Sequence, residues 1–133
     1  MSILKKLSRL VRPRSFSGPS TLAEAIAFLK QELPSETLRA MREDPENEMA
    51  RYHHNLGRQI RNRWGLWSGS PLKGHLEGLG LNHADDMSSL ILTSLRRHLR
   101  GEPLRVEEQV KKHQEYWATV ELSSEMKGCV FKL

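Results

Sequence analysis

Three groups of residues in this chain have side chains that could do chemistry: six histidines, the aspartate pair Asp85–Asp86, and arginines set beside tryptophans in the run RNRWGLWSGS. The histidines do not form a metal site. His53 and His54 are adjacent, so on a helix they point about 100° apart and cannot share one ion. No HExxH occurs, and the lone Cys129 cannot build a thiolate site. Acid–base work needs two groups converging on one substrate, whereas Asp85 and Asp86 would diverge from adjacent helical positions. A place in a helix's first turn, where the dipole favours acids, accounts for both; the alternative is an acidic partner contact beside His83. Cys129 has no helix N-terminus or histidine near it in sequence to activate it. GxSxG, phosphate-loop and dinucleotide glycine motifs are all missing. The sequence therefore predicts no catalytic residue, no cofactor and no metal, and a protein that is not an enzyme.

The arginines offer more. Arg58, Arg61 and Arg63 could meet phosphates, with Trp64 and Trp67 stacking on bases, or they could be solvated charges beside tryptophans that wedge a loop onto the core. A helix-turn-helix over Ser70–Leu99 is disfavoured, because Asp85 and Asp86 open its second helix and would repel a duplex. Tryptophan and arginine dominate protein–protein hot spots, and here they lie on a loop between two capped helices.

The elements that must hold these residues read as helices. Thr21 and Glu24 have capping-box spacing, followed by Leu22, Ile26, Leu29 and Leu33 at helical intervals until Pro34. Ser35 is placed to cap a short helix that turns Leu38 and Met41 inward. A longer helix is predicted from Glu46 to Trp64, with Met49, Tyr52, Leu56, Ile60 and Trp64 as its apolar stripe. Ser70–Pro71 starts another, with Leu72, Leu76 and Leu79 facing the core and Gly80–Leu81 ending it. Asn82 or His83 caps the next, whose inner face is Met87, Leu90, Ile91, Ser94, Leu95 and His98; Arg96, Arg97 and Arg100 complement its C-terminal end. A last helix carries Val106, Val110, His113 and Trp117, and the tail GCVFKL is expected as a short strand or extended chain. The fold class is all-α: a compact bundle of about five or six short helices with short connections.

Length and charge bound the rest. The chain has 133 residues, 38% hydrophobic and 28% charged, enough for one domain with a real core and unlike a disordered chain. The net charge is +5, but residues 1–14 hold Lys5, Lys6, Arg9, Arg12 and Arg14 and no acid. Taking those five from 21 basic residues leaves 16 against 16 acids, so the body is formally neutral. Residues 1–19 are read as a basic arm and linker, and 20–133 as a single helical domain. Ile3, Leu7, Leu10 and Val11 make the arm weakly amphipathic, suited to capping the core or to touching nucleic acid or an anionic membrane. Lys5, Lys6 and Arg9 interrupt any secretory apolar core, no stretch reaches membrane-spanning length, and a lone cysteine fits a reducing compartment; the expected location is cytoplasmic.

The runs NLGRQIRNRWGLWSGS (Asn55–Ser70) and GLNHADDMSSLIL (Gly80–Leu92) resemble a family of small bacterial helical domains of unknown function with LGxxIRN, GLW and HxDDMS motifs. The similarity extends over Thr21–Trp117, including EEQVKKHQEYW, with Ala84 where the pattern has proline. By size and genre such domains look like the immunity proteins of polymorphic toxins, an analogy rather than a physical argument. The leading expectation, by that analogy, is a non-catalytic binding protein that neutralises a cognate toxin by occluding its active site; from the residues themselves, Arg58, Arg61, Trp67, His83, Asp85 and Asp86 are the expected contact surface. The alternative is a nucleic-acid- or anionic-membrane-associated protein acting through the basic arm.

Overall fold

Thr21 starts the first helix as its spacing predicts: its Oγ1 accepts a hydrogen bond from the Glu24 N–H at 3.2 Å. Glu24 reaches back to the N–H of Ser20 at 2.9 Å, one residue earlier than a capping box requires. The computed structural model describes residues 18–132, with side chains through Ser123; no strand occurs among them. Lys5, Lys6, Arg9, Arg12 and Arg14 of the arm lie outside the described residues. Helix α1 (Leu22–Glu32) buries Leu22, Ala25, Ile26 and Leu29, and Pro34 prevents its continuation. Helix α2 (Ser35–Glu43) has Pro34, not Ser35, at the cap position and no side-chain cap. Its fixed proline φ already suits a helix entry, so Ser35 moves into the first turn. Met41 is its fully buried anchor.

The helix expected over Glu46–Trp64 is segmented. A 3-10 turn (Glu46–Met49) leads to one α-turn, α3 (Ala50–Tyr52), then to a π-turn (His53–Gly57) and to α4 (Arg58–Arg63). The apolar stripe is nevertheless correct, with Met49, Leu56, Ile60 and Trp64 buried and Tyr52 half-buried. A period of 3.6 finds the buried face but does not register one turn that is a residue wider.

Helix α5 (Pro71–Gly78) starts on Ser70, whose Oγ accepts from the Lys73 N–H at 3.1 Å. It ends in a Schellman-type closure, with Leu81 N–H bonded to Leu76 O at 3.2 Å and Gly80 at φ +113°. Leu79, expected in the core, is exposed, because the chain leaves the helix there and Leu81 takes the buried place. Gly80 cannot be replaced cheaply: a Cβ there would lie 2.7 Å from Gln114 Nε2 and 3.0 Å from Val110 Cγ1, at a φ that L-residues avoid. Gly80→Ala is expected to cost about 2 kcal/mol by denaturant titration, from strain and the displaced Gln114 together.

Helix α6 (Ala84–Leu99) is the central element, packed against α1, α2, the π-turn, α4 and the last helix. Met87, Leu90, Ile91 and Leu95 are fully buried, each worth roughly 1.5–3 kcal/mol of transfer free energy. His98, expected inward, is exposed, with Nε2 3.5 Å from Lys30 Nζ. The arginines at this end bind carbonyls of neighbouring segments: Arg96 to Asp44 O at 2.8 Å, Arg100 to Arg42 O at 2.8 Å, and Arg97 to Leu104 O at 2.6 Å. Arg96 and Arg100 thereby satisfy the open C-terminus of α2 as well as facing their own helix dipole, while Arg97 ties down the connection to the last helix.

The last helix, α7 (Val106–Lys132), overturns the expected strand or extended tail: the backbone stays helical through Gly128 and Cys129. No interruption of the α7 pattern forces a stop there, since a single glycine costs only ~1 kcal/mol in a helix. Gln109 is buried and donates to Ser94 Oγ at 3.1 Å and to Leu104 O at 2.9 Å, fixing α7 to α6. Among the described residues, no helix is long and apolar enough to cross a membrane.

Candidate binding site

Asp85 and Asp86 sit in the first turn of α6 and diverge into two separate networks, as consecutive helical positions require. The first network is built around Arg61. Its side chain leaves α4, is 6% exposed, and donates from Nη1 to Ser88 Oγ at 2.8 Å. Ser88 Oγ in turn donates to Asp85 O at 3.0 Å. Arg61 Nε lies 3.3 Å from Asp85 Oδ1 but has no well-aligned hydrogen bond, so this is an ion pair by proximity only. His53, from the π-turn, places Nδ1 3.5 Å from Arg61 Nη1 and Nε2 3.9 Å from Asp85.

Gly57 makes room for that guanidinium. A Cβ at Gly57 would stand 3.0 Å from Arg61 Nη1 and 3.6 Å from both His53 Nδ1 and Ser88 Oγ. Gly57 and Arg61 lie four apart on one helical face, and Asp85 and Ser88 lie three apart on another. The LGxxIRN and DDMS segments therefore meet at one guanidinium.

The GLW segment completes the structure. Gly65 turns the chain at φ +67°, Leu66 is buried at 1%, and Trp67 projects outward. The Trp67 ring is 58% exposed and its centroid is 5.9 Å from Arg61 Cζ, at the outer limit of a cation–π contact. Trp64 does the opposite: it is 2% exposed and meets Phe28 edge-on at 5.6 Å.

Burial, and secondarily the nearby Arg61 charge, lower the His53 pKa from its ordinary 6.5, with Asp85 opposing the shift. The unfolded chain therefore binds a proton at His53 more readily than the folded one. By linkage this term destabilises the fold as pH falls from 7 through 6.5, and the loss levels off below the lowered folded value. A His53→Gln variant is expected to show a flatter stability profile across pH 7 to 5.5 by denaturant titration. An unchanged slope would exclude His53 as its source.

The second network joins α6 to α7. Asp86 Oδ1 lies 3.1 Å from His113 Nδ1, and Asp86 Oδ2 accepts from the Trp117 indole N–H at 2.7 Å. Trp117 is stacked on His83, with centroids 3.8 Å apart and planes 21° from parallel. His83 occupies the N-cap position of α6 but makes no capping hydrogen bond. Its expected capping role is replaced by this ring stack.

Of the six expected contact residues, the fold brings Arg61, Trp67 and Asp85 into the first network and His83 and Asp86 into the second. Arg58 is exposed on α4 and joins neither. Arg61 is at the centre of its network but buried, so it supports a surface more than it forms one. His53, Gly57, Ser88, His113 and Trp117 are members that sequence reasoning did not assign to a site. The i,i+4 and i,i+3 spacings were visible for the first three, whereas the α6–α7 pairs span 27 and 31 residues.

A family model described as a domain of unknown function (DUF6794) matches residues 18–99. No curated protein and no solved structure matches the chain. The Arg61 network lies wholly within the matched stretch, while His113 and Trp117 lie beyond it.

Proposed function

The chain belongs to the family of the domain of unknown function DUF6794, and from that premise we propose that it is a non-catalytic binding protein whose contact face centres on Trp67 and Asp85. The observation that carries this reading is an indole 58% exposed over a guanidinium that is itself only 6% exposed. A large apolar ring left in water can anchor a partner at low cost when the groups around it are held in place, because little side-chain entropy is then lost on association. Arg61 gives that support through Ser88 and Asp85, and Gly57 keeps the space it needs. Asp85 adds an exposed acid at the rim, where charge steers encounter and selects partners.

The more specific form of the proposal is an immunity protein that neutralises a cognate bacterial toxin by covering its active site. Its support is the analogy of size and genre with such proteins and the exposed aromatic face, which such a role can use. The neutral body disfavours the version in which a strongly acidic inhibitor blankets a basic nuclease. Co-expression with toxins encoded beside this gene tests it directly. Growth should be restored by the native chain and lost again with Trp67→Ala. If the native chain never protects against any of them, the immunity form is wrong.

A further inference from the structure

The second network borders a small, half-open cavity that shares no lining residue with the Trp67–Arg61 contact. It measures about 240 Å³ and lies between the turn after α5, the start of α6, and α7, with His83, Asp86, His113, Gln114, Trp117 and Glu121 among its lining residues. Its chemistry is one-sided. Among the described residues, the formally charged groups that line it are the carboxylates of Asp86 and Glu121, with no lysine or arginine. His113 is committed through Nδ1 to Asp86, and the two aromatic rings that wall the cavity are already stacked on each other.

Size and chemistry together narrow the occupant. Pockets for drug-sized molecules run from roughly 300 to 1,000 Å³, so this one is suited to a single side chain. Asp86 Oδ2 accepts the Trp117 N–H and Oδ1 lies 3.1 Å from His113 Nδ1, so the carboxylate, with about four lone-pair sites, has acceptor capacity left for a cation. A planar, weakly hydrated guanidinium packs against aromatic rings and pairs with carboxylates better than a compact, strongly hydrated ammonium does.

We propose that the cavity between α6 and α7 receives an arginine side chain from a protein partner, with Asp86 and Glu121 as its counter-charges and the His83–Trp117 stack as its wall. This rests on the binding reading above and supplies it with a second anchor point. It also states the partner's chemistry: an exposed arginine side chain.

The test needs no partner. The full-length protein, labelled with ¹⁵N, is titrated with N-acetyl-arginine amide while the Trp117 indole resonance is followed; N-acetyl-lysine amide and sodium chloride at equal ionic strength are the comparisons. The expected result is a saturable shift with the arginine probe, weaker by roughly threefold in Glu121→Gln, whose exposed carboxylate contributes modestly. Asp86→Asn should weaken it by more than about tenfold. Because Asp86 also pins α7, the Glu121→Gln variant keeps the test valid if Asp86→Asn loosens that helix. A drift matching sodium chloride, or a shift the same in native protein and Glu121→Gln, would overturn the proposal. Either result would leave capture through Trp67 standing, so a failed cavity and a failed binding function are told apart.

Discussion

Trp64→Ala is expected to cost roughly 4 kcal/mol of folding stability, while Trp67→Ala, three residues on, should stay within about 0.5 kcal/mol of the native chain. The two indoles lie in one short run but in opposite environments. Trp64 is 2% exposed, packs edge-on against Phe28, and caps the C-terminal end of α4. Truncating it removes a large buried surface and leaves a cavity that neighbouring helices can only partly fill. Trp67 already faces water, and the Arg61 guanidinium lies 5.9 Å from its ring centroid. Thermal unfolding should therefore fall by more than roughly 10 °C for the first variant and hardly move for the second. Equal losses in both would mean that Trp67 is a structural wedge, and the proposed contact face would lose its centre.

Arg61→Ala should rank next, at about 3 kcal/mol. Removing one member of a buried pair commonly costs 3–5 kcal/mol, because the remaining charge is stranded. Here the low end applies, since the Asp85 side chain is 58% exposed and keeps its hydration. Ser88 also keeps its donor bond to Asp85 O, losing Arg61 only as the group that donates to it. What remains is the lost guanidinium packing, the lost bonds to Ser88 and to the His53 carbonyl, and the void above Gly57. Arg61→Met, which retains much of the volume, should recover part of the loss in a denaturant titration. If Arg61→Ala were neutral, the network would be surface decoration and the rigidity of the Trp67 face would have no source.

The fold class was legible because its signals are local. Caps at Thr21 and Ser70, the breaker Pro34, and the closing Gly80–Leu81 pair each act within one turn, and the structure uses all of them. The Met49–Trp64 stripe was also found, although the helix carrying it includes a π-turn that periodicity does not register. Leu79 and His98 were misplaced at helix ends, where the chain departs from the helical repeat and face assignment fails. The site was half legible. Residue types pointed to Arg61, Trp67, His83, Asp85 and Asp86, yet nothing in the sequence said that Arg61 would be buried. Its burial depends on Gly57 and Ser88 meeting across 31 residues, and the Asp86–Trp117 bond spans the same separation. Such contacts are set by packing of whole helices, not by any local pattern.

The binding role is tested most directly by affinity capture with the tagged native chain and with Trp67→Ala, washed at low and then high salt. The proposed function predicts one stoichiometric protein that survives high salt on the native chain and is lost from the variant, because a buried aromatic anchor is insensitive to screening. Capture that washes away with salt, or that Trp67→Ala leaves unchanged, would contradict it; nucleic acid or lipid released in the salt wash would point to the basic arm instead.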